Sequence, residues 1–302
     1  MGAKAIVTIP PYAPYMKEVL NNTIVSGIRL NTVMPLHETL DDAVKRLNDE
    51  AQKAGKDLWI DLKCRQLRVK TYGVPPFTEI ELTHNLTVDA GTTAYFSGGL
   101  EKATILSVKN NRLLMQEGPK RVVGPGEAIN ILHPSLKIEG YLTDTDKKYI
   151  EACSRLGLHN YMASFVEGAE DLEEIGKLDG QANLIAKIES QKGIEYVQTG
   201  WNGKSRLMAA RGDLFVELKM PHHITQAVEA IVRKDPNAIV ASRIFDSLAQ
   251  SLEPSCADIG DADNLLRMGY RAFMFGDEIC MERNQIMSGL NLLRAMAQRY
   301  EK

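Results

Sequence analysis

The sequence has few cysteines and no long apolar run. Its four cysteines, at positions 64, 153, 256 and 280, are far apart and form no Cys-x-x-Cys pair, so we expect reduced thiols. No stretch approaches the roughly 18 apolar residues that span a bilayer, and the apolar run at the N-terminus is too short for a signal peptide. We therefore predict a cytoplasmic protein without a membrane partner.

The sequence also lacks an excess of charge of either sign. Its 36 Lys and Arg residues against 39 Asp and Glu residues give a formal net charge of −3. A protein that binds nucleic acid or a membrane surface through its bulk charge needs a larger imbalance, so we expect no nucleic-acid partner. The length of 302 residues is enough for about two domains of ordinary size.

Short apolar runs recur along the chain, with helical patterns between them. Their nearly continuous hydrophobicity is typical of parallel strands that are covered on both faces. The eight runs are 3–9, 25–30, 57–63, 160–165, 183–188, 206–210, 237–241 and 270–275. Amphipathic helices are predicted over 37–54, 143–156 and 284–300, the second with a capping box formed by Thr143 and Asp146. Eight strands that alternate with helices predict an α/β fold, a closed (β/α)8 TIM barrel.

One interval interrupts this alternation. Residues from about 69 to 132 carry short alternating strands and turn signals, among them Pro75-Pro76 and Gly124-Pro125-Gly126. We therefore predict a small inserted β domain at 69–132, after barrel strand three, and a barrel formed by 1–68 and 133–302. The barrel part then has close to the roughly 250 residues usual for this fold.

Charged residues cluster at the C-terminal ends of the predicted strands, where the active site of such a barrel lies. They follow strands two, three, five, six and seven, together with a few polar neighbours: Arg29, Asn31, Asp61, Lys63, Arg68, Lys187, Glu189, Arg211, Gly212, Asp213, Ser242 and Arg243. The many cations in this set predict an anionic substrate, in the first place a phosphorylated one.

Glu189 and Asp213 are the candidates for a divalent metal site. Lys187 and Glu189 share one face of strand five because side chains alternate along a strand, and Asp213 arrives from the next strand. Two carboxylates with room for substrate oxygens and water suit Mg²⁺ or Mn²⁺, which keep water or phosphate among their ligands.

Two strings in this region resemble the active-site signature of the pyruvate kinase family. They are LIAKIESQKGI at 184–194 and MAARGDLFVE at 208–217, and the segments 28–31, 163–166 and 241–247 fit the same family in the same order. The resemblance covers the predicted barrel, and pyruvate kinases carry their lid domain after strand three. It implies an enzyme that acts on phosphoenolpyruvate or a related 2-oxo acid enolate, nominally by phosphoryl transfer. Its nucleotide partner would be ADP or ATP, although several residues of this chain differ from the family where the nucleotide binds.

The resemblance also implies roles for single residues. Glu189 and Asp213 would hold Mg²⁺ or Mn²⁺, Lys187 would stabilise the phosphoryl group or enolate, and Arg29 would contact the phosphate. Ser242 replaces a family threonine and keeps the hydroxyl of the proton step. The substrate carboxylate would meet the backbone amides around three residues, Arg211, Gly212 and Asp213.

The family's monovalent-cation site is only partly retained. Asn31 and Asp61 remain, but Val33 and Leu62 replace the other ligands, which weighs against K⁺ as a cofactor. Arg65 or Arg243, neither of which is a family residue at its position, could supply the missing positive charge. Lys63 and Arg68 preserve the cationic ends of the family's Lys-Gly-Pro-Glu-Ile-Arg, and Gln66 replaces its glutamate.

Further departures affect the nucleotide half of the site. Val33, Met34 and Pro35 replace the Ser-His-Gly that helps to seat the nucleotide, and Phe215 replaces a glycine. The predicted lid is short and lacks the family's Asp-Asp-Gly, and we expect the family's C-terminal domain to be absent.

Three functions remain open from the sequence. The first is phosphoryl transfer of the pyruvate kinase type. The second is metal-dependent enolate chemistry without a nucleotide, as in a carbon-carbon lyase or a tautomerase, and the third is a non-catalytic protein that binds phosphoenolpyruvate. Arg243 has two interpretations, an ion pair with Asp246 or Asp213, or binding of a second anionic group on a different substrate. A homo-oligomer is compatible with the sequence.

Overall fold

The computed structural model describes residues 2–75 and 79–301. The second residue of the predicted Pro75-Pro76 turn lies outside the described residues. The first three strands are β1 (Lys4–Thr8), β2 (Val25–Asn31) and β3 (Asp57–Leu62). Seven short strands follow: β4 (Glu79–Glu81), β5 (Leu86–Thr87), β6 (Thr93–Phe96), β7 (Glu101–Lys109), β8 (Arg112–Gln116), β9 (Asn130–Ile131) and β10 (Lys137–Ile138). The last five are β11 (Asn160–Ala163), β12 (Asn183–Ile188), β13 (Arg206–Ala210), β14 (Ile239–Ala241) and β15 (Ala272–Phe275).

Eight parallel strands close into a barrel, in the order β1-β15-β14-β13-β12-β11-β3-β2. Each of them coincides with one of the eight apolar runs, so the predicted strands and the TIM barrel are confirmed. Their residues are buried on both faces because helices cover the outside, while Trp59, Met162 and Met208 belong to the cluster that fills the inside.

Ten α-helices are described: α1 (Met16–Leu20), α2 (Leu40–Lys53), α3 (Asp144–Arg155), α4 (Ala169–Leu178), α5 (Gln191–Thr199), α6 (Arg211–Glu217), α7 (His223–Lys234), α8 (Cys256–Met268), α9 (Asp277–Cys280) and α10 (Arg283–Ala297). The three predicted amphipathic helices correspond to α2, α3 and α10. The capping box of Thr143 and Asp146 is present at the start of α3. Among the described helices, none is both long and apolar enough to cross a membrane.

The segment between β3 and α3 forms antiparallel sheets outside the barrel. One has five strands in the order β4-β8-β7-β6-β9, and the other pairs β10 with β5. They enclose a separate small core that includes Leu82, Phe96 and Leu113. This confirms an inserted β-rich element after the third strand. Its limits at 69 and 132 stay a prediction, and β10 lies beyond the second of them.

Candidate active site

A cavity of about 540 Å³ lies where the barrel strands end and the inserted sheet begins. Nine of the predicted site residues line it: Arg29, Lys63, Arg68, Lys187, Glu189, Gly212, Asp213, Ser242 and Arg243. The inserted sheet contributes Ser97, Gly98 and Asn130. The structure thus brings together residues from β2 and β12, from the loops after β3 and β14, and from helix α6, as expected for a barrel of this type.

Asp61 is the buried centre of the cationic part of the site. Its carboxylate lies 2.5 Å from Arg29 Nη2 and 3.1 Å from Lys187 Nζ, and it also pairs with Lys63. Burial raises the pKa of Asp61, but attraction by Arg29, Lys187 and Lys63 outweighs it and holds the pKa well below its usual range. Asp61 is therefore ionised and serves as a counter-ion to three cations.

The same burial acts differently on the two lysines. It lowers the pKa of Lys63 to about 7, against the attraction of Asp61 and with the repulsion of neighbouring cations. Burial also lowers the pKa of Lys187, but Asp61 and Glu189 raise it above its ordinary value. Lys187 consequently carries a positive charge at neutral pH, and its ammonium also donates a hydrogen bond to Ser164 Oγ, 2.8 Å away.

Asp146 ties the exit of β3 to helix α3. Its carboxylate accepts hydrogen bonds from the backbone N–H of Lys63 and Cys64 at 2.8 and 2.9 Å, in addition to capping α3. Cys64 itself is buried and has a φ of 46°, in the left-handed region that non-glycine residues rarely adopt. The capping signal seen in the sequence thus also positions Lys63.

Glu189 is a buried carboxylate with two fixed partners. Oε1 lies 3.2 Å from Lys187 Nζ, and Oε2 accepts a hydrogen bond from the backbone N–H of Phe165 at 2.8 Å. Burial raises the pKa of Glu189, Lys187 lowers it, and the negative charge of Asp213 raises it further. Glu189 and Asp213 line the same cavity.

Asp213 is held from two directions by side-chain amides. Oδ2 accepts a hydrogen bond from Gln66 Nε2 at 2.8 Å, and Oδ1 accepts one from Asn130 Nδ2 at 3.2 Å. Asn130 also donates to Glu217 Oε1 at 2.8 Å, and Arg68 Nε donates to Gln66 Oε1 at 2.9 Å. The barrel and the inserted sheet therefore both orient this carboxylate.

The pair Glu189 and Asp213 fits a divalent cation in its charge and donor type. Within residues 2–75 and 79–301, no three His, Cys, Asp or Glu side chains form a metal-ligating group. A pair is nevertheless what Mg²⁺ commonly uses, because substrate oxygens and water complete its octahedron. A cation between the two carboxylates would also relieve the repulsion that raises the pKa of Glu189.

The remaining monovalent-cation residues are occupied by protein partners. Asn31 Nδ2 donates a hydrogen bond to Asp277 Oδ2 at 2.8 Å, and Arg29 Nη1 lies 3.3 Å from Asp277 Oδ1. The charges around Asp61 come from Arg29, Lys63 and Lys187 rather than from Arg65 or Arg243. Arg65 pairs with Asp171 and donates a hydrogen bond to Phe165 O.

The side chain of Arg211 is directed to the neighbouring loop and does not line the cavity. It is buried, forms an ion pair with Asp261 at 2.8 Å, and donates hydrogen bonds to the carbonyl oxygens of Ser242 and Arg243 at 3.0 and 2.6 Å. Gly212 is close to Ser242, since a Cβ at Gly212 would lie 3.4 Å from Ser242 Oγ. Arg211 thus supports the site through the backbone of its neighbours.

Several residues of the site were not singled out from the sequence. Asn130, Asp277, Ser164 and Thr8 all bind predicted site residues directly. Gln66, between Lys63 and Arg68, was noted from the sequence only as a replacement of the family's glutamate, and its hydrogen bond to Asp213 was not expected. Asn130 carries no such signal, because only the fold brings β9 to α6.

Comparisons with known proteins agree with this geometry. The family model described as pyruvate kinase, barrel domain, matches residues 77–283. A pyruvate kinase of Borreliella burgdorferi is 22% identical over 94% of this chain and 64% of its own length. A pyruvate kinase of Thermoplasma acidophilum is 24% identical over 92% of this chain and 54% of its own length.

A pyruvate kinase of Methanocaldococcus jannaschii is 25% identical over 91% of this chain and 64% of its own length. The matches therefore span between half and two thirds of the length of these three relatives. Since the family model covers more than half of the chain and the barrel has the matching strand order, this chain belongs to the pyruvate kinase family.

Proposed function

We propose that this chain binds phosphoenolpyruvate, or a related 2-oxo acid enolate, together with Mg²⁺ or Mn²⁺ and catalyses phosphoryl transfer of the pyruvate kinase type. The observation that carries the proposal is one cavity lined by Arg29, Lys187, Glu189 and Asp213. This set combines two carboxylates for a metal with two cations for an anionic substrate.

An unpartnered donor supports binding of an anion. Within residues 2–75 and 79–301, the buried Arg29 Nε has no hydrogen-bond partner, although Nη1 and Nη2 bind Thr8, Asp61 and Asp277. A buried N–H without a partner costs about 1–3 kcal/mol. A phosphate or carboxylate oxygen at Arg29 would satisfy it, and the neighbouring Lys63 and Lys187 favour the same charge.

The metal would be held by Glu189 and Asp213. When bound, it would supply positive charge that offsets the negative charge of the phosphoryl group and of the 2-oxo acid. Gln66, Asn130 and the backbone N–H of Phe165 orient three of the four carboxylate oxygens. Such outer partners commonly change metal affinity about 10–100-fold when they are removed.

In the reaction, the bond between phosphorus and the enol oxygen breaks as a bond to an ADP phosphate oxygen forms. Lys187 carries the positive charge that stabilises the phosphoryl oxygens and then the enolate oxygen, while Arg29 holds the phosphate in line. The enolate carbon takes up one proton to give pyruvate. Ser242, whose hydroxyl lies beside Gly212, is the candidate for relaying that proton.

One observation favours enolate chemistry without a nucleotide as the second candidate. Val33 packs against the turn at Gly126, since a Cβ at Gly126 would lie 3.5 Å from Val33 Cβ. At the position of Val33 the family has the start of the Ser-His-Gly that helps to seat the nucleotide. An apolar contact takes the place of polar groups there. In this case the cavity would stabilise the enolate of a 2-oxo acid for carbon-carbon cleavage or tautomerisation.

A coupled assay with phosphoenolpyruvate, ADP and Mg²⁺ tests the first candidate. We expect turnover that requires the metal and that Lys187→Ala abolishes, while thermal unfolding shows that the variant is folded. As a matched control, Lys192→Ala changes an exposed lysine five residues later and should keep turnover. Unchanged turnover in Lys187→Ala would refute the catalytic assignment.

Solvent deuterium exchange into pyruvate separates the other two. Exchange without ADP that depends on both Mn²⁺ and Lys187 indicates enolate chemistry without a nucleotide, provided the coupled assay is negative. Metal-dependent binding without exchange indicates a phosphoenolpyruvate-binding protein. We further propose that K⁺ is not required, because three protein cations already surround Asp61, and replacement of K⁺ by tetramethylammonium should leave activity unchanged. The cytoplasmic location and a homo-oligomeric state stay predictions from the sequence.

A further inference from the structure

Among the cavity cations that the structure describes, one, that of the exposed Arg243, lacks an ion-pair or hydrogen-bond partner. The guanidinium of Arg243 forms neither an ion pair nor a hydrogen bond with any residue in the described part of the chain, although Asp246 follows in the same turn. The other cations of the cavity all have partners: Arg29, Lys63 and Lys187 pair with carboxylates, and Arg68 donates to Gln66 and Gly126. The ion pair of Arg243 with Asp246 or Asp213, open from the sequence, is not formed.

The backbone that carries Arg243 is built to a fixed and uncommon shape. Ser242 and Arg243 have φ values of 65° and 54°, in the left-handed region, which costs about 1–3 kcal/mol per residue. Arg211 holds the carbonyl oxygens of both residues and is itself anchored by Asp261. The fold therefore fixes the loop from which the free guanidinium extends.

Phe215 fixes the orientation of this guanidinium. The carbon at its centre lies 4.3 Å from the centroid of the Phe215 ring, which is a cation-π contact. Stacking occupies one face of the guanidinium and leaves its N–H edge free for a two-pronged contact with a carboxylate or phosphate. Phe215 and Arg243 both depart from the family pattern, and in the fold these two departures are in contact.

The free guanidinium borders the same space as the proposed substrate site. Arg243, Gly212 and Asp213 line one cavity of about 540 Å³, and Ser242 Oγ adjoins Gly212. Pockets of a few hundred Å³ hold ligands much larger than a three-carbon acid. A substrate held at Asp213 can thus extend towards Arg243 without leaving the cavity.

We propose that Arg243, stacked on Phe215, binds a second anionic group of the substrate, and that the substrate is a 2-oxo acid whose far end carries a carboxylate or a phosphate. The inference rests on the proposed function, because the first anionic group is the 2-oxo acid end beside the metal-binding pair. Arg243 is then a specificity-determining residue that favours 2-oxo acids with an anionic far end over those with an apolar far end.

Calorimetric titration with Mn²⁺ present tests this with a matched pair of five-carbon probes. 2-Oxoglutarate and 2-oxopentanoate differ only in the terminal carboxylate, and 3-phosphohydroxypyruvate is the probe with a terminal phosphate. We expect 2-oxoglutarate or 3-phosphohydroxypyruvate to bind about tenfold or more tightly than 2-oxopentanoate, since a hydrogen-bonded charge pair contributes that much. Whichever of the two probes shows the preference identifies the second anionic group.

Variants assign the preference to the stacked arginine. Arg243→Gln should abolish it, Arg243→Lys should keep part of it, and Phe215→Leu should weaken it while the arginine remains. Arg233→Gln, which removes an exposed arginine of α7, should keep it in full. Thermal unfolding of each variant reports whether it is folded. If Arg243→Gln is not folded, the preference measured for Phe215→Leu tests the inference instead.

The outcomes that contradict the inference are distinct from failure of the proposed function. Pyruvate or oxalate that binds with Mn²⁺, with equal affinities for the two five-carbon acids and no gain from the phosphate, overturns the inference alone. An Arg243→Gln effect confined to ADP also overturns it, because the arginine would then serve a nucleotide. No Mn²⁺-dependent binding of pyruvate or oxalate overturns the proposed function and the inference with it.

Discussion

Replacing Asp61 with asparagine should destabilise the protein strongly, because Asp61 is the counter-ion of three buried cations. Arg29, Lys63 and Lys187 are each less than one tenth exposed, and their contacts with Asp61 include distances of 2.5 and 3.1 Å. Removing one partner of a buried ion pair costs about 3–5 kcal/mol, since the other charge stays buried and unpaired. We expect a loss of about 4 kcal/mol from an unfolding free energy that is typically about 5–15 kcal/mol.

The loss of unfolding free energy in Asp61→Asn relative to the wild type, here called the deficit, should become smaller as pH rises. Burial lowers the pKa of Lys63 to about 7 even with Asp61 present, and loss of the aspartate lowers it further. The pKa of a lysine in the unfolded chain is about 10.4. Between the lower folded pKa and this value, the unfolded chain holds one more proton than the folded state, so the buried lysine destabilises the fold less as pH rises. Lys63 therefore differs in protonation between the folded variant and the folded wild type only below about pH 7, so the deficit should shrink as pH rises towards 7 and Lys63 should not change it further above that pH.

Urea unfolding of the wild type, Asp61→Asn and Asp57→Asn measures the effect. Asp57 is an exposed residue at the start of the same strand and serves as the matched control. In Asp61→Asn, Lys63 loses its carboxylate partner, while Arg29 keeps Asp277 and Lys187 keeps Glu189. Phosphate at about 20 mM, a large excess over the protein, should therefore raise the unfolding midpoint of the variant more than that of the wild type. An unfolding free energy within about 1 kcal/mol of Asp57→Asn, with no extra effect of phosphate, would refute the reasoning.

Three further predictions concern the carboxylates. Lys187→Ala removes the ammonium that lowers the pKa of Glu189, so half-maximal Mn²⁺ binding, followed by electron paramagnetic resonance, should move to higher pH; an unchanged profile contradicts the pairing. Asn130→Ala removes a donor to Asp213 and should weaken Mn²⁺ binding about tenfold, whereas Asn85→Ala, an exposed residue that bonds to Glu139, should not. Burial raises the pKa of Glu217 to about 8, so this carboxyl favours the folded state below its unfolded pKa of about 4.5 and loses that contribution as pH rises to about 8. Glu217→Gln lacks this loss and should be more stable than the wild type at pH 8.5 by on the order of 2 kcal/mol, measured by thermal unfolding; equal stability there would contradict it.

The barrel could be predicted from the sequence because its strands are buried on both faces. Such strands must be apolar almost throughout, and a run such as 183–188 is recognisable without knowledge of its neighbours. The capping box at Thr143 and Asp146 is equally local, since both partners lie within one helical turn. The alternation of strand and helix then allows few topologies other than the closed barrel.

The residues that line the site were also within reach of the sequence, but most of their partners were not. Strand ends converge in any such barrel, so Lys187, Glu189 and Asp213 were expected to meet at its mouth. Whether Arg211 enters the cavity or binds the carbonyl oxygen of Ser242 depends on the left-handed backbone of the loop at Ser242 and Arg243. A hydrophobic period in the sequence does not predict such a loop.

What the sequence by itself determined is therefore the fold of the barrel and the set of charges at its mouth, because burial and strand period act along the chain. The tertiary structure alone decided that Asn130 reaches Asp213 across the junction with the inserted sheet, and that Arg243 stacks on Phe215 instead of pairing with Asp246. These contacts join residues far apart in sequence or set by loop conformation, and only the packed chain brings their atoms within bonding distance.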